Sequence, residues 1–184
     1  MKKIALIGAP SSGKTTIMSG LFYHFKMLEK KVEIVPELIK YKVYEDIKFG
    51  EEGFDIQNSL EQAKLEKIIS NAKGIDLVIC ESPLCNGYFY SSFYKKKYEA
   101  PLLKKIAQNY INGYDLIIFV EHLNDGKFES FGRKESQETS LKIENHIRKE
   151  LKKLNFKNSM IYVNKKTNIY KIINQILIEL NESI

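Results

Sequence analysis

Gly8-Ala9-Pro10-Ser11-Ser12-Gly13-Lys14-Thr15 constrains the fold of this chain more than any other stretch. It fits G-x-x-x-x-G-K-[ST], the phosphate-binding loop or Walker A pattern. Such a loop works through its backbone. Gly8 and Gly13 reach dihedrals that a Cβ forbids, so consecutive N–H groups turn inward around a phosphate. Ala9, Ser11, Ser12 and Thr16 complete the expected nucleotide-binding set with Gly8, Gly13, Lys14 and Thr15. Lys14, expected to be exposed on its loop, brings a cation to the terminal phosphates, and the Thr15 hydroxyl is placed to ligate Mg²⁺. A helix starting near Thr15 points its positive end at the same anion. The motif demands a buried strand before it and a helix after it. Ile4-Ala5-Leu6-Ile7 supplies the first, and apolar residues at 17, 21, 25 and 28 within Thr15–Lys30 supply the second.

The rest of the chain continues that alternation. A second strand is expected over 31–36, closing on Pro36-Glu37, and then a short helix over 38–48 that ends near Gly50 and Gly53. Asp55 is read as the cap of a helix over about 56–72, with Leu60, Ala63, Ile68 and Ile69 on one side and Gly74 as its stop. Ile75–Glu81 is a short apolar run ending in an acid, the signature of a buried parallel strand. A turn-rich passage, 82–87, leads into the aromatic cluster Tyr88, Phe89, Tyr90, Phe93, Tyr94 and Tyr98, with Lys95-Lys96-Lys97 inside it. Pro101 suits the first turn of a helix to about Ile111. Asp115–Val120 reads as a fourth strand ending at Glu121-His122, and 122–135 as a polar loop. A helix over 136–154 carries Leu141, Ile143, Ile147, Leu151 and Leu154, and Ile161–Val163 is a fifth strand. Thr167 or Asn168 caps a last helix with Ile169, Ile172, Ile173, Ile176, Leu177 and Leu180 toward the core.

Strands alternating with helices imply an α/β fold of the three-layer P-loop NTPase kind: five mostly parallel strands with helices on both faces. A length of 184 residues suits one domain spanning the whole chain, with a lid loop at about 122–135. In such sheets a ligand sits outside the carboxyl ends of the strands. The P-loop, Glu37 and Glu81 each follow a strand's carboxyl end, so three separate stretches converge on one edge.

Composition narrows the setting. With 43% hydrophobic and 28% charged residues, no leader segment and no apolar run long enough for a membrane, a soluble cytoplasmic protein is expected. Cys80 and Cys85 lack zinc-site spacing partners and read as reduced thiols. A net charge of +6 permits an anionic partner, a nucleotide or a nucleic acid, without demanding one. The only two arginines are Arg133 and Arg148. A chain that otherwise uses lysine has reason to keep arginine where a planar fork is needed.

The chemistry follows from these positions. Glu81, after an apolar strand, matches a Walker B acid that holds Mg²⁺ directly or through water. Glu37 would face a phosphoryl acceptor, accepting a hydroxyl proton or a sugar hydrogen bond; the alternative is an acid serving the helix dipole. Arg133, in Phe131-Gly132-Arg133, suits a lid arginine that closes over the transferring phosphoryl, or else a solvated loop residue. Gln57 and Gln62 suit base recognition or an exposed helix surface. The aromatic cluster, Tyr88 included, suits base stacking or core. Lys95–Lys97 reads as a solvated face and Arg148 as structural.

On Gly8–Thr15, Val35-Pro36-Glu37, Glu81-Ser82-Pro83-Leu84 and Phe131-Gly132-Arg133 before a long helix, the chain resembles P-loop nucleoside and nucleotide kinases. The likeness is strongest to small kinase-like ATPases frequent in bacteriophages, related to the ribosylnicotinamide kinase domain of bacterial NAD-biosynthesis regulators, and it spans roughly residues 1–155. The resemblance implies ATP and Mg²⁺, an acceptor-side base at Glu37, a metal-side acid at Glu81 and an arginine lid. It places Lys40 where relatives often carry an arginine that grips a phosphate or sugar, and Glu81-Ser82-Pro83 where they often show Asp-Ser-Pro. The expected activity is ATP-dependent phosphoryl transfer to a nucleoside, nucleotide or similar small acceptor, with Lys14, Glu37 and Arg133 catalytic and Glu37, Lys40, Gln62 and Tyr88 toward the acceptor. Two alternatives stay open: a polynucleotide or DNA-base kinase, and a nucleotide-binding regulator without transferase activity. The oligomeric state is open as well, a homodimer included.

Overall fold

Parallel strands need buried, nearly continuous apolar runs, and the five strands of the computed structural model meet that need. The structure describes all residues except 48–50, 123–127, 130, 132–133 and 180–184. Along the chain lie β1 (Lys2–Ile7), α1 (Lys14–Met27), β2 (Val32–Val35), α2 (Leu38–Tyr44), α3 (Phe54–Ser70), β3 (Leu77–Cys80), α4 (Asn86–Phe93), α5 (Glu99–Tyr110), β4 (Leu116–Glu121), α6 (Gln137–Lys152), β5 (Ser159–Asn164) and α7 (Ile169–Glu179). The strands form one sheet in the order β2-β3-β1-β4-β5, and every pair is parallel rather than most of them.

The pleat sends alternate residues of each strand to opposite faces. Ala5, Ile7, Val78, Cys80, Ile117 and Phe119 enter the core shared with α4, α5 and α6. Ile4, Leu6, Leu77, Ile79, Ile118 and Val120 enter the core shared with α1 and α7. Both cysteines are buried and free, and burial pushes both thiols up in pKa, which makes them inert packing groups. No helix among the described residues is long and apolar enough to cross a membrane.

Three elements differ from the sequence reading, each for a physical reason. α4 begins at Asn86, inside the passage 82–87 read as turn-rich, and carries Tyr88, Phe89, Tyr90 and Phe93 of the aromatic cluster. α3 begins at Phe54, with Gly53 in the left-handed region (φ 86°) as its cap instead of Asp55; the Asp55 and Ile56 amides are held by Glu99 Oε2 of α5 at 2.9 and 3.2 Å. α3 also buries Ser59, Gln62 and Glu66, while Leu60 and Ile68, two of the apolar residues read as one side of the helix, are exposed. Two of the three buried polar residues are paired: Gln62 bridges the Leu38 amide and the Pro36 carbonyl, and Glu66 meets Lys3 Nζ and the Tyr114 hydroxyl, each at 2.8 Å. Leu141 likewise lies on an outward part of α6. At the last helix, Asn168 Oδ1 accepts from the Tyr170 amide at 2.9 Å, which selects the second of the two expected caps.

Candidate active site

The P-loop leaves β1 at its carboxyl end and enters α1 through Gly13, whose φ of 99° is a left-handed conformation. Gly8 cannot carry a side chain: a Cβ there would lie 2.5 Å from the Val120 carbonyl oxygen. No side chain caps α1 and its first turn holds no acid, so its first amides stay available to an anion. Ser11 is left-handed as well (φ 63°). Alternation of right- and left-handed residues is how successive N–H groups come to line a concavity. That concavity is a cavity of about 150 Å³ bounded by Ser11, Gly13, Lys14, Thr15, Thr16, Glu129 and Lys165.

Lys14 departs from expectation. It is buried, 4% exposed, and its Nζ donates to the Gly8 and Ala9 carbonyls at 3.0 Å each. A loop rich in inward amides turns carbonyls outward, and an ammonium within reach of them is held there. The Thr15 hydroxyl donates to Glu81 Oε1, and Glu81 is buried at the end of β3. Among the described residues no group of three or more His, Cys, Asp or Glu stands ready for a metal. Mg²⁺ beside phosphates needs fewer, taking one or two protein oxygens together with phosphate oxygens and waters. The hydroxyl–carboxylate pair of Thr15 and Glu81 fits that donor set. Glu81→Gln is therefore expected to raise the Mg²⁺ requirement and lower kcat by roughly 10–100-fold. Magnesium titrations of nucleotide turnover check it, and superimposable curves for mutant and wild type would leave Glu81 as a strand-end acid only.

A larger cavity, about 500 Å³, opens on the other side of Lys14. Glu37, Lys40, Phe54, Asp55, Asn58, Asn86, Tyr90, Tyr94 and Lys96 contribute to its wall. Glu37 sits at the N-terminus of α2 and is buried, 7% exposed, yet its side chain caps nothing. Burial raises the Asp55 carboxyl, and the hydrogen bond from Lys96 offsets part of that rise. Lys96 pairs with Asp55 at 2.9 Å and Glu99 at 3.3 Å, so the lysine triplet is not a uniformly solvated face. The described parts of 122–135 lean over both cavities. The Glu129 amide donates to Ser11 Oγ at 3.0 Å, Lys134 Nζ reaches the Ile47 carbonyl at 3.1 Å, and the Phe131 ring lies 6.0 Å from that of Tyr44. Arg133 lies outside the described residues.

Two residues expected at the acceptor sit elsewhere. Gln62 is occupied between β2 and α2 as described above. Tyr88 is buried among core residues and donates to Glu150, and burial together with that carboxylate raises its phenol pKa. The cluster divides by helical position, with Tyr88 and Phe89 inward and Tyr90 and Tyr94 on the cavity wall. Tyr88→Phe is thus expected to cost about 1 kcal/mol of stability and leave kinetics unchanged. Thermal melts beside steady-state kinetics check it; a raised KM at an unchanged Tm would return Tyr88 to the substrate.

Behind the loop stands a network of which the sequence displays only a strand end and an arginine on a helix. His122 directs Nδ1 to Glu144 Oε2 at 2.7 Å and Nε2 to the Pro10 carbonyl at 2.9 Å. Arg148 bridges Glu144 and Glu121 and stacks on Phe119, 4.6 Å from its centroid. Burial works to raise the Glu144 carboxyl, but hydrogen bonds from the His122 ring and backbone and from Arg148 outweigh it and hold it at about 2.

A family profile described as AAA domain matches residues 3–168. The chain belongs to that family. No curated protein matches it by sequence. Among solved structures, NadR in complex with NR superposes with a TM-score of 0.80 at 14% identity, over 100% of this chain and 52% of NadR. NadR in complex with NAD and AMP-PNP gives 0.74 at 14% identity, over 100% and 50%. Deoxyadenosine kinase from M. mycoides with dCMP and dCDP gives 0.64 at 18% identity, over 97% and 98%. The chain spans about half the length of the NadR structures. At these identities the likeness establishes the fold alone, one shared with NadR and with that deoxyadenosine kinase.

Proposed function

We propose that this AAA-domain protein transfers the γ-phosphoryl group of ATP to a nucleoside, nucleotide or similar small acceptor. One observation carries the reading: Lys14 lines both cavities, the phosphate cradle on one side and a nucleoside-sized space on the other. An ATPase that only hydrolyses or senses nucleotide needs no second cavity beside its P-loop lysine. The kinase named among the structural neighbours, and the NR, NAD and AMP-PNP held by NadR, support the same class of ligand.

In this reading the P-loop amides and the N-terminus of α1 hold the phosphates, and Lys14 exchanges the Gly8 and Ala9 carbonyls for phosphoryl oxygens. Thr15 and Glu81 would hold Mg²⁺, which neutralises charge on the β- and γ-phosphates when bound with ATP. Glu37 takes the proton of the acceptor hydroxyl, Lys40 steadies the acceptor, and Arg133 serves as the lid cation. Glu81 accepts from the Thr15 hydroxyl whereas Glu37 lines the larger cavity, which supports giving Glu81 the metal side and Glu37 the base.

The test is a panel of nucleosides, mononucleotides, nicotinamide riboside and 5′-hydroxyl oligonucleotides offered with γ-labelled ATP and Mg²⁺. Label on a nucleoside or mononucleotide is expected. Label only on oligonucleotides would mark a polynucleotide kinase, and ADP formation with no labelled acceptor would mark an ATPase or regulator.

A further inference from the structure

The network behind the P-loop has no part in phosphoryl transfer as described so far, yet it touches the loop directly. The Pro10 carbonyl, within the phosphate-binding stretch, receives the Ser140 hydroxyl at 2.6 Å and faces His122 Nε2 at 2.9 Å. Ser140 is fully buried on α6, and its Oγ lies 3.0 Å from the same ring nitrogen. On the far side of the ring, Glu144 Oε2 takes both the His122 amide and Nδ1 at 2.7 Å.

We propose that His122 is a positioning residue which, as an imidazolium, clamps the Pro10 carbonyl and so sets the phosphate cradle for nucleotide. This rests on the nucleotide-binding reading of the P-loop. Hydrogen-bond chemistry carries it. A carbonyl and an ionised carboxylate only accept, so the two ring nitrogens must both donate, and only the charged ring has two N–H groups. A neutral ring protonated at Nδ1 would turn a lone pair toward the Pro10 carbonyl and compete with it for the Ser140 hydroxyl.

Why that carbonyl matters follows from the peptide unit. In a planar trans peptide the C=O of Pro10 and the N–H of Ser11 point in opposite directions. Pinning the carbonyl against His122 and Ser140 therefore directs the Ser11 amide away from them, on the loop that borders the small cavity. Ser11 also holds a positive φ, a conformation that a residue with a Cβ keeps only when its surroundings hold it.

The charged groups around the ring agree. α6 presents Glu144 with Arg148 behind it, and β4 ends in Glu121, which pairs with Arg148. From the P-loop the one charged side chain is Lys14, turned to the Gly8 and Ala9 carbonyls, while Lys165 packs near Gly13. Arg148 is satisfied by two acids, which leaves one Glu144 oxygen to the histidine. The ring is thereby held from both sides, by the Glu144 carboxylate at Nδ1 and by the Pro10 carbonyl at Nε2.

The experiment measures AMP-PNP affinity by calorimetry for wild type, His122→Gln and Ser140→Ala at one pH, beside thermal melts. His122→Gln removes the charged donor to the Pro10 carbonyl and is expected to bind AMP-PNP about tenfold more weakly than wild type, the scale of one charge-assisted hydrogen bond. An affinity equal to that of wild type in a folded glutamine variant overturns the clamp. A second readout omits the nucleotide: the Ser11 amide resonance should move in His122→Gln and in Ser140→Ala, and a Ser11 amide unmoved in both also overturns the clamp. If AMP-PNP binds none of the three proteins, the nucleotide reading falls, and the Ser11 resonance alone judges whether His122 holds the loop.

Discussion

Lys14→Ala is expected to lower ATP turnover by about a thousandfold or more, because it removes a preorganised cation from the point where phosphoryl charge develops. The structure refines the design of that experiment. Lys14 is buried and donates to two carbonyls of its own loop, so its loss also leaves Gly8 and Ala9 acceptors unpartnered by it. A stability cost of about 1–3 kcal/mol accompanies such a loss, and a drop in activity alone would not separate charge from folding. Lys14→Met retains the apolar stem, which is the packed part of the side chain, and removes the cation. The two variants should be equally inactive while methionine melts closer to wild type. ADP release under saturating Mg-ATP, read beside thermal melts, checks both statements. Turnover within about threefold of wild type for a folded variant would remove the P-loop lysine from the mechanism.

The parts of this molecule that repeat a period could be read from residues alone. β1, with Ile4 to Ile7 fully buried, and the loop after it stand where the motif demands them, and Glu37 and Glu81 emerge at the same sheet edge. What escaped was polar and long-range. Ser59, Gln62 and Glu66 mark one helical face as clearly as leucines would, whereas of the apolar side read from the sequence Ile69 packs against the core and Leu60 and Ile68 meet solvent. Their partners, Pro36, Leu38, Lys3 and Tyr114, lie far away along the chain, and no local pattern announces them. α4 was hidden by its own aromatics, which resemble a stacking surface until the helix divides them between core and cavity. His122 had only one local cue, its place directly after an apolar strand beside Glu121, and its meaning appears when α6 brings Ser140, Glu144 and Arg148 against it. Lys14 misled for a different reason. A motif tells what a side chain does with its ligand and says nothing of where it rests without one.

Glu37→Gln should separate the two acids of the site. Glu37 is nearly buried at the start of α2, on the wall of the larger cavity with Lys14 and Lys40, and its carboxylate caps no helix amide. Glu81 instead holds the Thr15 hydroxyl beside the phosphate cradle. If Glu37 takes the acceptor proton, the glutamine variant keeps the shape of the wall and loses the base, and kcat falls by about 10²–10⁴-fold. ATP affinity and the Mg²⁺ dependence should stay at wild-type values, because neither the cradle nor the Thr15–Glu81 pair is touched. Glu37→Asp keeps the charge but draws it back by one methylene, so it should recover part of the rate with ATP binding unchanged in both variants, a pattern that belongs to an interaction made in the transition state. Single-turnover transfer to whichever acceptor the labelled panel identifies, measured across a magnesium series, decides the matter. A defect that excess Mg²⁺ repairs would move Glu37 to the metal side, and transfer at the wild-type rate would leave it as an acid held at a helix N-terminus by the helix dipole alone.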